Sequence, residues 1–345
     1  MVDEYKLFYL NNYYCTQSLI CQFTLGISGD LLTNEGNPCF GLKPLEALYK
    51  EKKILVEWMD PDIQILSEKE TTKYDAILLN SPRLTKESIN PKNNKVKIVS
   101  RFGVGYDSVD LDVLKKNKII LTNTPNAVRR PVAVASLTMV LSLSGKLMIK
   151  DNLVREGRWN ERTNHMGVGL INKTLGIVGF GGIGREFVKI SKCLFKNIIC
   201  YDPFVVKEEM KNLQVDKVDF DEIANSSDFL VILCDLNEKT KGMIDSTFLN
   251  KMKSSSYLIN LSRGPVVNEN HLIASLKQNK ISGAGLDVMT NEPIEENNEL
   301  LNLKNTILTP HSLCWTDECF DSIATEAIAS ILNYFNNKKI INRVV

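Results

Sequence analysis

Net charge is nearly absent from this 345-residue sequence: 42 Lys+Arg against 41 Asp+Glu leave +1 at neutral pH. No global field therefore draws the chain to nucleic acid or to an anionic membrane, and any phosphate binding has to be local. Long apolar runs are lacking too. The longest, Val132 to Leu143, contains Ser136, Thr138 and Ser142 and is shorter than the roughly 20 residues that cross a bilayer, so no transmembrane helix is expected. The opening residues lack the basic-then-apolar order of a secretory signal: Asp3 and Glu4 are acidic, and Asn11, Asn12, Gln17 and Gln22 interrupt the moderately apolar stretch after them. A cytoplasmic protein with no membrane and no nucleic-acid partner is the expectation. The cysteines at 15, 21, 39, 193, 200, 234, 314 and 319 include no Cys-x-x-Cys pair, and no Cys or His pairs share zinc-ligand spacing. This argues against a metal site and a disulfide framework and for reduced, mostly buried thiols.

What is present is an ordinary globular composition, 43% hydrophobic and 24% charged, over a length that suits two domains at roughly 150 residues each. Short β-branched runs alternate with helical patterns of 10 to 20 residues, which reads as βαβ units with parallel sheets, an α/β fold. In the first part, strands are expected at Asp75–Leu79, Val96–Ser100 and Lys118–Leu121, with helices at Lys43–Lys52 and Val109–Lys116. No elements are assigned before residue 40. The segment Pro131 to Met148 is apolar nearly all round, and Pro131 suits a first helical turn, so a helix buried between layers or subunits is expected there. A polar stretch, Lys150 to Lys173, comes next. Strands are then expected at Thr174–Val178, Asn197–Tyr201, Phe229–Cys234, Tyr257–Leu261, Gly283–Val288 and Thr306–Leu308, with a helix at Arg185–Lys196. Near the C-terminus Phe320, Ile323, Ala324, Ala327, Ile328, Ile331 and Phe335 recur at helical period behind a Thr316 N-cap.

The first chemical signal is Gly179-Phe180-Gly181-Gly182-Ile183-Gly184, a G-x-G-x-x-G between an expected strand and an expected helix. In that setting the first glycine permits a tight turn, the second lets a pyrophosphate approach the backbone, and the third lets helix pack on strand. The helix N-terminus adds N–H donors and partial positive charge. Asp202, 23 residues after Gly179 at the end of the next strand, has the spacing of an acid that accepts from the adenosine ribose hydroxyls. Its charge would repel a 2′-phosphate, which favours NAD(H) over the phosphorylated cofactor. A methyltransferase can carry a similar turn and acid, and the stretches downstream argue against that alternative.

Six ordered stretches resemble the D-isomer-specific 2-hydroxyacid dehydrogenases, a family that includes phosphoglycerate dehydrogenases, hydroxypyruvate and glyoxylate reductases and D-lactate dehydrogenases. They are Arg101-Phe-Gly-Val-Gly-Tyr-Asp107, Asn123-Thr-Pro125, Leu175 to Gly184, Asn260-Leu-Ser-Arg-Gly264, Gly285-Leu-Asp-Val288 with Glu292-Pro293, and Thr309-Pro-His311. The resemblance implies two Rossmann-like doubly wound domains with the active site in a cleft between them. Residues 126–308 would bind NAD, and 1–125 completed by 309–345 would bind substrate. By the same resemblance Arg263 holds the substrate carboxylate and polarises the reacting carbonyl, His311 is the general acid and base, and Glu292 hydrogen-bonds its imidazole and favours the protonated ring. Asp287 would accept from the nicotinamide carboxamide, while Cys234 and Thr240 line the adenosine side of the cofactor. Backbone N–H groups of Val104 and Gly105 would meet the substrate carboxylate.

The implied activity is hydride transfer between nicotinamide and a D-2-hydroxy acid or its 2-oxo acid, such as hydroxypyruvate, glyoxylate or a 3-phosphoglycerate-like substrate, in a homodimer. The other function carried by this scaffold is a non-catalytic NAD(H)-sensing regulator, whose family members also keep the Arg, Glu and His. Formate enzymes on a similar fold pair the histidine with Gln, against which Glu292 counts. Two departures stand out. Asp235 occupies a place where the family often has proline. Trp315 is expected in the substrate pocket or at an interface around it, with a core aromatic at a helix start as the alternative reading. His165 and His271 are expected to be solvated.

Overall fold

The computed structural model describes residues 23–345, so Cys15 and Cys21 lie outside the described residues. These residues form two compact units, one from the chain up to Val128 together with Thr316–Val345, the other from Arg129–Trp315.

The first unit holds a parallel sheet of five strands among the described residues: β1 (Phe23–Ile27), β2 (Ile54–Trp58), β3 (Ala76–Leu79), β4 (Ile98–Arg101) and β5 (Ile120–Thr122), in the order β2-β1-β3-β4-β5. The expected strands at 75–79, 96–100 and 118–121 are β3, β4 and β5 with shifted ends. β1 and β2 were not assigned from the pattern. Gly26 explains part of the difference, because a Cβ there would lie 2.6 Å from the Met59 side chain and the Tyr74 ring. A glycine inside the strand weakens the local β signal, while the packing partners that require it are far along the chain. The expected helix 43–52 is one tight turn, Lys43–Leu45, continued by a single helical turn, Glu46–Tyr49.

The helix Asp317–Phe335 starts from the expected cap, Thr316 Oγ1 accepting from Cys319 N–H at 3.1 Å. It buries Phe320, Ile323, Ala324, Ala327, Ile328 and Ile331. Ser100 Oγ donates to Ala327 O at 3.0 Å and accepts from Thr122 Oγ1 at 3.0 Å, so these two buried hydroxyls are satisfied. Register matches Ile27 with Trp58 and Leu79 with Arg101, which brings the loops after β1, β3 and β4 to one sheet edge.

The second unit is a seven-stranded, all-parallel sheet ordered β12-β11-β10-β9-β6-β7-β8. Its strands are β6 (Thr174–Val178), β7 (Asn197–Tyr201), β8 (Asp216–Lys217), β9 (Phe229–Ile232), β10 (Tyr257–Asn260), β11 (Gly283–Leu286) and β12 (Thr306–Leu308). The chain runs outward from β6 through β7 and β8, then returns to β9 on the other side of β6. That reversal places a crevice at the C-terminal ends of β6 and β9, where open α/β sheets bind ligands. Register aligns Val178 with Tyr201 and Ile232, Ile232 with Asn260, Asn260 with Leu286, and Leu286 with Leu308. One edge therefore carries Gly179, Asp202, Cys234, Arg263, Asp287 and His311. Phe180, Phe187 and Phe229 are fully buried beneath it, each worth about 2–3 kcal/mol of burial.

The long helix runs Pro125–Gly145 instead of Pro131–Met148. Pro125 takes the first-turn place assigned to Pro131, and Pro131 lies inside the helix. The helix ends where Lys146 turns left-handed (φ 51°), and a second helix, Leu147–Arg155, occupies the start of the stretch read as polar. Ala133, Ala135, Met139, Val140 and Leu143 are buried, and the small residues of β11 let the helix approach: a Cβ on Gly285 would run into Met139. At 21 residues it is the one helix among the described residues long and apolar enough to cross a bilayer, which corrects the exclusion by length. Forty-four per cent of its most apolar window is buried within the fold, while Val134 and Leu141 are exposed.

Among the described cysteines, Cys200 and Cys319 are buried, Cys39, Cys234 and Cys314 half-buried, and Cys193 exposed. Mostly buried is thus true of two. Burial pushes the Cys39 thiol up to about 11 and Cys234 up to about 12, so both stay protonated near neutral pH.

Candidate active site

The glycine-rich turn has the geometry its spacing implies. Gly179 has φ 101°, and a Cβ on it would meet Cys234 N at 2.7 Å and Cα at 2.8 Å, so the β6 turn and the β9 loop touch backbone to backbone. A Cβ on Gly184 would strike the Gly179 carbonyl, the close packing of helix on strand. Gly181 and Gly182 are exposed at the start of the helix Gly182–Ser191, Ile183 is half-buried in its first turn, and a Cβ on Gly181 would have nothing within 4 Å. That open backbone at a helix N-terminus fits a pyrophosphate.

Asp202 closes the turn from β7. Its Oδ2 accepts from Phe180 N–H at 2.7 Å, and its Oδ1 accepts from Phe204 N–H at 2.9 Å and Val205 N–H at 3.2 Å. A carboxylate has about four acceptor positions, so three backbone donors leave room for one more, such as a ribose hydroxyl.

At the other end of the edge, His311 and Glu292 form a pair: His311 Nδ1 lies 2.7 Å from Glu292 Oε2. The carboxylate accepts, so Nδ1 carries a proton and Nε2 is left as the working nitrogen. Glu292 Oε1 accepts from Met289 N–H at 2.9 Å, which fixes the carboxyl group. Burial works to raise the Glu292 pKa, but the His311 hydrogen bond and charge, the Met289 N–H and the charge of Arg263 together hold it below its ordinary value. The Arg263 charge is thus felt at the same carboxylate. His311 itself sits at φ 53°, a left-handed conformation that costs a non-glycine residue of order 1 kcal/mol and persists only where neighbours impose it.

Asp287 is one of those neighbours. Its Oδ1 accepts from Thr309 Oγ1 at 2.7 Å, Ser312 N–H at 3.0 Å and Leu313 N–H at 3.1 Å, tying the end of β11 to the loop that carries His311. The residue is 3% exposed, and burial raises its pKa despite the Thr309, Leu313 and Ser312 donors and the His311 charge. All three donors converge on Oδ1, which leaves Oδ2 for a ligand amide.

Arg263 is aimed by Asn260, a role missed from the sequence although the Asn lay within a recognised stretch. Asn260 Oδ1 accepts from Ser262 N–H (3.0 Å) and Oγ (2.8 Å), while its Nδ2 donates to Arg263 O at 2.9 Å. Arg263 Nη1 donates to Ser262 O at 2.8 Å. Gly264 comes next because a Cβ there would collide with the Met289 carbonyl, which brings the Arg263 loop and the Glu292 loop into contact.

The remaining expected residues divide between the two units. Cys234 abuts Gly179, whereas the Thr240 hydroxyl is committed within its own loop, donating to Asp235 O at 2.7 Å and accepting from Asn237 N–H at 2.8 Å. In the first unit, Val104 and Gly105 lie in the half-buried loop after β4, pinned by Asn123 Nδ2 donating to Val104 O at 2.9 Å. Trp315 is 54% exposed, which removes the core-aromatic reading. His271 is not simply solvated: its Nδ1 accepts from Ser246 N–H at 3.1 Å. His165 is half-buried at the end of the turn Trp159–His165.

Comparison with known proteins identifies the family. Residues 137–312 match the family model described as D-isomer specific 2-hydroxyacid dehydrogenase, NAD binding domain. The chain is 33% identical over 276 residues to D-3-phosphoglycerate dehydrogenase of Archaeoglobus fulgidus, covering 80% of this chain and 52% of that protein. It is 34% identical over 304 residues to glyoxylate reductase of Thermococcus litoralis, covering 86% of this chain and 90% of that one. It thus spans about half the length of the first relative and nearly all of the second. The crystal structure of D-lactate dehydrogenase from Aquifex aeolicus complexed with NAD and lactic acid superimposes with a TM-score of 0.80 at 26% identity, covering 91% of this chain and 96% of that one. With its glycine-rich turn, its Arg, Glu and His on one sheet edge, and these matches, the chain belongs to the D-isomer specific 2-hydroxyacid dehydrogenase family.

Proposed function

We propose that the protein is an NAD(H)-dependent oxidoreductase that interconverts a D-2-hydroxy acid and its 2-oxo acid, with hydroxypyruvate, glyoxylate or a 3-phosphoglycerate-like acid as substrate class. The observation that carries this reading is the 2.7 Å Glu292–His311 pair, with the charge of Arg263 acting on the same carboxylate. When bound, the nicotinamide supplies or takes the hydride. His311 donates a proton from Nε2 to the carbonyl oxygen in reduction and recovers it in oxidation, while Glu292 balances the imidazolium charge through Nδ1. Arg263 grips the substrate carboxylate with its planar fork and draws electron density from the carbonyl. Trp315 lines the pocket, and Val104 and Gly105 offer backbone N–H donors to an anion.

Gly179, Gly181, Gly182, Ile183 and Gly184 receive the pyrophosphate, with Cys234 and Thr240 along the adenosine side. Asp202 accepts from the ribose and repels a 2′-phosphate, and Asp287 Oδ2 takes the carboxamide. Leu147, Met148, Val154, Trp159, Met166 and Ile171 are exposed in one stretch of the second unit, an apolar load that supports a homodimer. The location proposed is the cytoplasm.

The test is NADH consumption by purified protein against a panel of 2-oxo acids, with NADPH for comparison and kcat/KM ranking the substrates. Turnover with D-2-hydroxy acid products is expected. Tight NADH binding with no turnover on any 2-oxo acid would replace this reading with that of a nucleotide-sensing regulator.

A further inference from the structure

Gly182 is the glycine of the turn whose Cβ space is filled by a charged side chain, where backbone fills that of Gly179 and Gly184. A Cβ built there would lie 2.5 Å from Arg129 Nε, 3.0 Å from Cδ and 3.1 Å from Cζ. The guanidinium of Arg129, reaching over from the long helix, therefore lies against the backbone at the first residue of the helix Gly182–Ser191. Beside it, the Cβ position of Gly181 opens to empty space. Two further arginines stand near this helix start, and both are spent. Arg130 pairs with Glu186 at 2.8 Å, and Arg185 pairs with Glu209 at 2.7 Å while covering the Phe180 ring. Arg129 has no ion pair or hydrogen bond among the described residues.

A pyrophosphate carries two negative charges, and a helix N-terminus offers about half a positive charge plus N–H donors. A guanidinium supplies a full charge and a fork of donors matched to phosphate oxygens. We infer that Arg129 is a binding residue for the pyrophosphate of the dinucleotide, and that the absent side chain at Gly182 is the gap through which it reaches. The inference rests on the NAD(H) reading above and adds to it a charge from outside the glycine motif. In this chain the cation comes from another helix, 53 positions earlier in sequence than the glycine it covers.

The test is titration of the full-length protein by NADH fluorescence, with ADP-ribose and adenosine as competitors. Arg129→Gln is expected to weaken NADH and ADP-ribose about tenfold, equivalent to about 1.4 kcal/mol, and to leave adenosine unchanged. Arg129→Lys should recover part of the loss, since it keeps the charge without the fork. Gly182→Ala, whose Cβ displaces the Arg129 side chain, should weaken ADP-ribose in the wild-type background and add little in Arg129→Gln. Equal NADH affinity in wild type and Arg129→Gln would overturn the assignment alone. So would an equal loss for adenosine, which marks a structural role. Failure of the wild type to bind NADH would overturn the NAD(H) reading, and this assignment with it.

Discussion

Replacing Asp287 with Asn is expected to make the protein more stable at neutral pH and a slower catalyst. Asn keeps an oxygen for the three donors on Oδ1, from Thr309, Ser312 and Leu313, so the hydrogen-bond geometry survives. What changes is the charge. The folded pKa of Asp287 lies above its ordinary 3.8, burial outweighing the three donors and the nearby His311 charge. A group whose pKa is raised by folding contributes its stability below the unfolded value and loses it as pH rises through the folded value. At pH 7 the buried carboxylate is therefore a net cost. Each pKa unit of such a rise is worth about 1.4 kcal/mol, and a neutral isostere removes that cost, so Tm should rise at pH 7. Loss of the Oδ2 acceptor proposed for the carboxamide should reduce NADH affinity and drop turnover about tenfold, because the nicotinamide loses a group that orients it. Thermal unfolding by circular dichroism at pH 7 and pH 4, with steady-state kinetics, reads both effects. The Tm gain should shrink toward pH 4. A lower Tm at pH 7, or a gain identical at both pH values, would refute the linkage argument.

Two further substitutions probe the remaining roles. Arg263→Ala should raise KM for the 2-oxo acid and lower kcat together, a combined loss of at least a hundredfold in kcat/KM; unchanged kinetics would remove Arg263 from the site. Asp202→Ser should narrow the preference for NADH over NADPH by about tenfold or more, since it deletes the charge proposed to face the ribose, and an unaltered ratio would assign cofactor choice to another group.

The parts of the fold that were legible in the sequence are those set by local spacing. β6, β7 and β12 match the expected strands residue for residue, and the glycine motif, Asp202 and the Thr316 cap sit where their spacing puts them. The start of the long helix was missed because a distant residue helps to set it. Glu326, 199 positions away, accepts from Ala127 N–H at 3.2 Å and satisfies an amide in its first turn. The second helix at Leu147 depends on Lys146 adopting a left-handed conformation, which its residue type does not advertise. At the site, Arg263, Glu292 and His311 were readable from motifs, but the shell that holds them was not. Asn260 folding back on Ser262 and Arg263, and Asp287 gathering the Thr309–Leu313 loop, are consequences of strand register. The Arg129 approach to Gly182 is likewise a tertiary contact between two helices.

The role of His311 is tested most directly by a side-by-side measurement of kcat on the best 2-oxo acid and of NADH affinity for wild type and His311→Gln. Loss of the proton donor should lower kcat by about a hundredfold or more while the NADH Kd stays within about twofold. A His311→Gln variant that turns over at the wild-type rate would contradict the assignment of His311 as the acid and base of the reaction.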